Sequence, residues 1–356
     1  MPFEQKRVWH LGVKIRNIIP EQAVTTVELS DLAGKTVAVD AYNILYQFLS
    51  IIRGPMGKPL MDSRQRVTSH LSGLFFRTLN FLEAGIKPVF VFDGKPPELK
   101  MRTVEKRTKT REEAQVLYER ALERGEVEEA RKQAMKAATL TRPLVESAKD
   151  LLAYMGAPTT QAPSEGEAQA AFMVARGDAF ASSSQDMDSL LFGSPRLVRN
   201  LSIVGRRRLP GRKAYVEVKP EIIELGKTLS ALGITREQLI DLGILVGTDY
   251  CEGVRGVGPK TALRLIKDYG SGESVLDKKG LTLELEISEI REAFLKPKVF
   301  TEYVTFWREP DYEGVKMFLC DEHDFAQQRV DKGLQRMREA LSREKGKTSL
   351  DFWLGA

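Results

Sequence analysis

Two short runs, TVAVD at 36–40 and KPVFVFD at 87–93, constrain the fold of this chain more than any other feature. Each is apolar at consecutive positions instead of alternating, so each must be buried on both faces, the pattern of a parallel strand held between helices. Each ends in an acid, Asp40 and Asp93. Between them SHLSGLFFRTLNFLEAG (69–85) has helical apolar spacing, with Gly85 placed to cap its end. Strand, helix, strand predicts an α/β fold with a twisted, mostly parallel central sheet flanked by helices. Functional groups in such sheets gather at the carboxyl ends of the strands.

From Lys100 to about Leu140 the chain is rich in Lys, Arg, Glu and Ala and poor in large apolar residues, which predicts exposed helix projecting from the core. TRPLVESAKDLLAYMGAP then returns to a core-type amphipathic helix ending at Gly156. APSEGEAQAAFMVARGD reads as a helix with a strong start signal, and AFASSSQDMDSLLFG as a small-residue strand ending in two aspartates. Residues 197–219, with turn signals at Gly205 and Pro210–Gly211, read as a hairpin. Residues 221–340 read as helical and the last dozen as a loose tail.

The overall composition narrows the chemistry. The 356 residues carry 54 Lys and Arg against 49 Asp and Glu, a formal charge of +5 that permits a nucleic-acid partner. Two cysteines, Cys251 and Cys320, cannot build a disulfide framework or a four-thiolate zinc site, and they suit a reducing compartment. Three scattered histidines exclude a histidine-rich metal centre. The start lacks the apolar core of a signal peptide, and no apolar run approaches the ~20 residues of a membrane span. An enzyme of this composition works with carboxylates and basic groups.

Seven acids stand at strand ends or helix starts: Asp40, Asp93, Glu165, Glu167, Asp186, Asp188 and Asp249. Each has a local explanation. Ser164 and Glu167 have capping-box spacing, Asp186 and Asp188 could cap a helix beginning at Ser189, and Asp249 sits in a turn where Asp bonds locally. Gathered at one edge, the seven would repel one another without cations. Oxygen-only clusters of this kind select Mg²⁺ or Mn²⁺. Two such ions ~3.5–4 Å apart can stabilise the attacking and leaving oxygens of phosphodiester hydrolysis.

Basic residues supply a second pattern. KMRTVEKRTKTR (100–111) holds six basic residues and one acid, and on a helix Lys100, Arg107 and Arg111 share a face that could clamp a phosphate. In GVRGVGPKTALRLIKDYG (253–270), glycines precede a helix whose Lys260, Arg264 and Lys267 form one stripe and Ala262, Leu265 and Ile266 another. This resembles a helix-hairpin-helix element, a binder of duplex DNA without sequence preference. Arg206, Arg207, Arg208, Arg212 and Lys213 cluster on the expected hairpin, as a solvated turn or as a DNA contact.

Taken together, VAVDAYN, VFVFDGKPP, APSEGEA, SSQDMDSLLFG and LVGTDYCEGVRGVGPKTA resemble, in order and spacing, the flap endonucleases, structure-specific 5′ nucleases of replication and repair. The likeness runs from Leu11 to the C-terminus. It implies a nuclease region at 11–99, a helical arch at 100–140 over the active site, and a second nuclease region at 141–270 with the helix-hairpin-helix at 253–270. A helical region at 271–342 and a sliding-clamp-binding tail at 343–356 complete it. Carried over by position, Asp40, Asp93, Glu165 and Glu167 build one metal site and Asp186, Asp188 and Asp249 the other. Lys100 and Arg107 fall on the arch-base pair that handles the phosphate, and Tyr46 on the tyrosine that stacks beside the scissile bond. Gly253, Val254 and Val257 fall where backbone carbonyls hold potassium. Residues 51–69 match the wedge that opens the junction and accepts a one-nucleotide 3′ flap.

The tail KTSLDFWL resembles a clamp-binding peptide, with Leu350 and Trp353 as anchors. It departs from the pattern at Lys347, in the glutamine position, and at Leu354, in place of the second aromatic. The resemblance further implies a monomer acting on branched DNA with a 5′ flap, 5′–3′ exonuclease activity, roles in Okazaki fragment maturation and base excision repair, and an archaeal, cytoplasmic, nucleoid-associated setting. Residues 1–10 match nothing in the family, and Leu11–Gly12 aligns with its initial Met-Gly, which implies a start at position 11. Rival readings are a gap exonuclease or junction resolvase of the same superfamily, a non-catalytic DNA-binding clamp accessory, and a metal-dependent phosphatase.

Overall fold

The computed structural model describes residues 12–203, 205–208 and 215–354. In chain order the first half contains β1 (Val24–Thr26), β2 (Thr36–Asp40), α1 (Ala41–Ile51), α2 (Ser69–Glu83), β3 (Lys87–Phe92), α3 (Met101–Glu123), α4 (Val127–Lys136), α5 (Arg142–Tyr154), β4 (Thr159–Gln161) and α6 (Gly166–Ala175). There follow β5 (Ala181–Ser183), α7 (Asp188–Leu191), β6 (Arg196–Arg199), β7 (Gly205–Arg208), β8 (Tyr215–Val218), β9 (Glu221–Glu224), α8 (Leu225–Leu232) and α9 (Arg236–Val246). The C-terminal part contains α10 (Pro259–Tyr269), α11 (Gly272–Lys279), α12 (Ile287–Leu295), α13 (Tyr312–Lys316) and α14 (Gln327–Leu354).

Seven strands form the central sheet in the order β1-β9-β6-β5-β2-β3-β4. β2 pairs in parallel with β3 and with β5, β3 with β4, and β5 with β6. Among the described residues of this sheet only β9 runs against its neighbours, β6 and β1. The consecutive apolar runs do what burial on both faces demands. Val37 and Val39 of β2 and Phe90 and Phe92 of β3 point into a core shared with α1, α2 and α5. Ala38, Val89 and Val91 point the other way, onto Ala170, Met173 and Val174 of α6. A separate core joins residues 13–23 to α7–α12. Burying each of the large side chains, such as Phe75 or Phe90 at 0% exposure, contributes about 1.5–3 kcal/mol over leaving it in water.

The register aligns Asp40 with Val91 and Val39 with Ser183, so Asp40, Asp93 and the 184–188 segment leave the sheet at one edge. Above that edge α3 and α4 pack as a pair joined at Gly125, burying Ala114, Ala121, Ala130 and Ala134. Their outer faces are exposed and charged, as expected for a projecting arch. α4 also leans on the 3-10 turn Pro55–Gly57, where a Cβ on Gly57 (φ +80°) would stand 3.0 Å from the Arg131 Cα.

Several expectations are revised. The hairpin is shorter than 197–219: Arg196–Arg199 joins the central sheet, and only β7 and β8 pair as a hairpin. Strong cross-strand burial of Leu197 and Val198 outweighed the turn signals. Residues 271–342 divide: α11 and α12 belong with α9, whereas α13 and α14 return to α2 and the first core. Between them residues 296–311 run without helix, docked by backbone bonds such as Arg308 N to Gly156 O (2.9 Å). The tail is not loose, since the backbone of α14 stays helical through Leu354, carrying Lys347, Leu350 and Trp353. Residues 1–10, Leu11, Arg212 and Lys213 lie outside the described residues.

Candidate active site

The seven acids are delivered by local signals that the strands bring into register. Asp40 ends β2 and caps α1, its Oδ1 accepting from Asn43 N at 3.0 Å. Asp93 follows β3 and accepts from Gly166 N at 2.6 Å, an approach open because position 166 has no side chain: a Cβ there would lie 2.8 Å from Asp93 Oδ1. That bond fixes the start of α6, so Glu165 and Glu167 flank the glycine at the same edge. Asp186 accepts from Asn43 Nδ2 at 3.1 Å, and Asp188 from Val13 N at 2.7 Å. Asp249, in the turn after α9, pairs with Lys100 (3.0 Å) and Arg107 of the arch.

The local alternatives fail here. The Ser164–Glu167 capping box does not form, because α6 starts at Gly166 with Glu165 as its N-cap residue and no side-chain cap. Neither Asp186 nor Asp188 caps α7. In the 248–251 turn the local bonding falls to Thr248, whose Oγ1 accepts from Tyr250 N at 3.1 Å, leaving Asp249 to the arch.

The electrostatics are those of like charges forced together. Asp40, Asp186, Asp188 and Asp249 are buried, and Asp93, Glu165 and Glu167 partly so. Burial, then the neighbouring Asp93, pushes the Asp40 carboxyl up to about 7. Burial and Asp249 push Asp188 up to about 7 as well. Glu167 and Asp186 go well above the carboxylate range through burial and then their acidic neighbours, and burial raises Asp93. Asp249 moves down: burial alone would raise it, but Lys100 and Arg107 outweigh that. Lys100 is held charged by Glu165, Asp249 and Asp93 against its own burial.

The cations inside the cluster are therefore the arch's own. Lys100 bridges Glu165 and Asp249, and Arg107 sits on Asp249. Among the described residues no three of the acids close on one point at coordination distance. The donor set is nonetheless all carboxylate oxygen, mutually repelling and served on one side only, which is the chemistry that hard divalent cations select and relieve. The residues present fit such ions.

The remaining expected residues take these places. Tyr46 lies on α1 with the Arg111 guanidinium 4.7 Å over its ring. Lys260, Arg264 and Lys267 are exposed on one face of α10 while Ala262, Leu265 and Ile266 are buried. Gly253, Val254 and Val257 form the preceding turn, closed by Val257 N to Val254 O at 3.0 Å and tied down by Val254 N to Leu245 O at 2.8 Å.

Sequence reasoning missed four groups at the site. Tyr250 donates its hydroxyl to Glu165 and is buried edge-on to Phe294, 5.0 Å between centroids. Asn43 joins Asp40 to Asp186, Ser184 reaches Asp40 (3.5 Å), and Val13 holds Asp188. An aromatic directly after Asp249 and an Asn three residues after Asp40 were readable signals. The Val13 contact spans 175 residues and left none, although Gly12 (φ +87°) marks it: a Cβ there would stand 3.0 Å from the Asp186 Cβ.

Comparison with known proteins identifies the relatives of this chain. The XPG N-terminal domain matches residues 12–114 and the XPG I-region residues 156–249. The chain is 57% identical over 97% of its length to Flap endonuclease 1 of Aeropyrum pernix, all of which is covered. It is 53% identical over 96% of its length to Flap endonuclease 1 of Pyrococcus furiosus, 99% covered. The solved flap endonuclease-1 from Methanococcus jannaschii superposes with a TM-score of 0.74 at 40% identity, covering 94% of this chain and 100% of that one. The chain belongs to the flap endonuclease family, the metal-dependent, structure-specific 5′ nucleases that hydrolyse DNA phosphodiesters.

Proposed function

We propose that the seven acids hold two Mg²⁺ ions, which Mn²⁺ can replace, with Asp40, Asp93, Glu165 and Glu167 around one and Asp186, Asp188 and Asp249 around the other. When bound, the ions supply Lewis-acid stabilisation of the attacking and leaving oxygens. The observation that carries this reading is the convergence of buried, mutually repelling carboxylates under an arch whose Lys100 and Arg107 already reach them. A scissile phosphate entering the site exchanges these two cations from Asp249 to its own oxygens. Tyr46 then offers its ring to the adjacent nucleotide once Arg111 moves aside. The exposed stripe of Lys260, Arg264 and Lys267 follows a duplex backbone, with K⁺ held by the carbonyls of Gly253, Val254 and Val257. Residues 51–69 present Ile51, Met56, Leu60 and Met61 to the junction as a wedge. The protein works as a monomer in the cytoplasm, at the nucleoid, in Okazaki fragment maturation and base excision repair.

Cleavage of labelled double-flap DNA, gapped duplex and a Holliday junction, with and without Mg²⁺, tests the substrate class. The expected result is Mg²⁺-dependent release of the flap in preference to the other two. Preference for the gap or the four-way junction would favour an exonuclease or a resolvase instead.

Arg107→Ala will slow single-turnover cleavage about 10²–10³-fold and weaken DNA binding far less, because the guanidinium meets charge that grows in the transition state. Arg120→Ala, on the exposed far part of α3, serves as the control. Equal effects at both positions would reduce Arg107 to a general basic contact.

Deleting residues 347–356 will leave cleavage of free flaps unchanged and abolish stimulation by the cognate sliding clamp, since Leu350 and Trp353 are the apolar anchors of that tail. Stimulation that survives the deletion would refute the assignment.

A further inference from the structure

Away from the carboxylate cluster, Asp62 is a buried acid inside a loop of exposed apolar side chains. It is 4% exposed, whereas Met56, Leu60 and Met61 of the same loop are 37–46% exposed. Its Oδ1 accepts from Arg64 N (3.0 Å) and Arg66 N (2.8 Å), and its Oδ2 from Arg66 Nε (2.7 Å). His323 Nδ1 stands 3.3 Å from Oδ2, and since a carboxylate only accepts, that nitrogen carries the proton. Two further bonds run between the same segments: Ser63 N to Asp324 Oδ2 at 2.6 Å, and the Arg66 guanidinium to the Glu322 carbonyl. A loop near residue 62 is thus sewn to a turn 261 residues later.

The backbone on both sides is unusual. Residues 317–322 form a π-helical turn, a geometry that recurs at functional sites, and it brings His323 edge-on to Phe318 with centroids 4.8 Å apart. Among the described residues, four non-glycine residues have left-handed φ, and three of them lie here: Met56, Gln65 and Asp324. Such backbone is strained and persists only where the surroundings over-determine it. Gly57, beside Met56, is in turn pressed against α4. A loop held at such cost while its apolar side chains face water has a specified shape, and that shape serves a partner outside the chain. The apolar surface that a DNA substrate has to offer such a loop is the face of a base pair.

We infer that Asp62 is a positioning residue, which locks loop 52–68 to the 317–324 turn so that the enzyme distinguishes a flap bounded by duplex on both sides from one bounded on a single side. The inference rests on the reading of residues 51–69 as the junction wedge. Asp62 itself is buried, so it acts through the loop.

The test compares single-turnover kcat/KM on a double-flap substrate and on a pseudo-Y lacking the upstream strand, for the full chain and for Asp62→Asn, His323→Gln and Met61→Ala. Losing charge-assisted bonds at a site of this kind corresponds to roughly a tenfold effect or more. Asp62→Asn is therefore expected to shrink the double-flap to pseudo-Y ratio by about tenfold, with His323→Gln shrinking it by a smaller factor. Pseudo-Y cleavage should stay within about twofold. General destabilisation would lower both substrates together, and that outcome overturns the inference. If Met61→Ala shrinks the ratio and neither Asp62→Asn nor His323→Gln does, the wedge stands and Asp62 is not its anchor. An unchanged ratio in all three variants sinks the wedge and the inference with it.

Discussion

Asp186→Asn and Asp249→Asn will each lower the single-turnover cleavage rate by at least about 10²–10³-fold, the scale of losing one preorganised electrostatic group, while flap DNA still binds. Both changes remove a negative charge from a site that must accept a phosphate, so affinity stays level or rises. The two variants part company in the protein without metal. Asp186 is surrounded by Asp188, Asp249 and Asp40, all of which push against it. Its replacement relieves repulsion, and the thermal midpoint in chelator rises. Asp249 instead anchors Lys100 and Arg107. Its replacement leaves those cations with fewer partners, so the midpoint in chelator does not rise and the arch becomes easier to proteolyse. Near-normal cleavage in either variant would refute the catalytic assignment of that acid.

The same electrostatics set a pH dependence for the metal-free protein. Asp40 and Asp188 have folded values of about 7 against an ordinary 3.8. Between those limits the folded state holds protons that the unfolded chain has already released, so stability falls as pH rises from about 4 to about 7. Denaturation in chelator at pH 5 and pH 7.5 measures the slope, and saturating Mg²⁺ should flatten it.

Asp241→Ala will cost about 3 kcal/mol of stability, the low end of what breaking a buried ion pair costs, because Arg291 keeps some access to solvent. Asp241 on α9 accepts two bonds from the Arg291 guanidinium (2.6 and 2.8 Å) and one from Gly272 N (2.8 Å) at the start of α11. Arg291, from α12, also reaches Glu273 at 2.6 Å. One carboxylate therefore ties together three helices beneath the basic stripe of α10. The loss should appear in urea titration, with duplex affinity falling alongside it, and replacing Arg291 with methionine as well should recover part of the stability. A cost below about 1 kcal/mol would show that apolar packing alone holds these helices.

Legibility in the sequence followed the range of the interaction. β2 and β3 were readable because burial on both faces leaves its mark within one strand, and α10 because its basic and apolar stripes repeat within two turns. The acids at strand ends could be nominated one by one. Their meeting could not be derived from spacing, since it depends on which strands are neighbours: β5 lies beside β2 although more than a hundred residues separate them. The same limit hid the Val13 bond to Asp188 and the Asp62 node. β6 and β9 escaped for a different reason, being four residues each: the turn residues after β6 argued for a local hairpin, and β9 opens a stretch whose pattern reads as helical.

The alanine seam between α3 and α4 makes the arch a self-supporting excursion from the sheet. Its two helices pack mainly on each other, and both ends return to the edge from which they left, so matched turns could be added to or removed from the pair without shifting any strand. The length of this pair is then a dimension that evolution can set separately from the chemistry below it. A protein built this way can change how far its arch reaches while its carboxylates stay where they are.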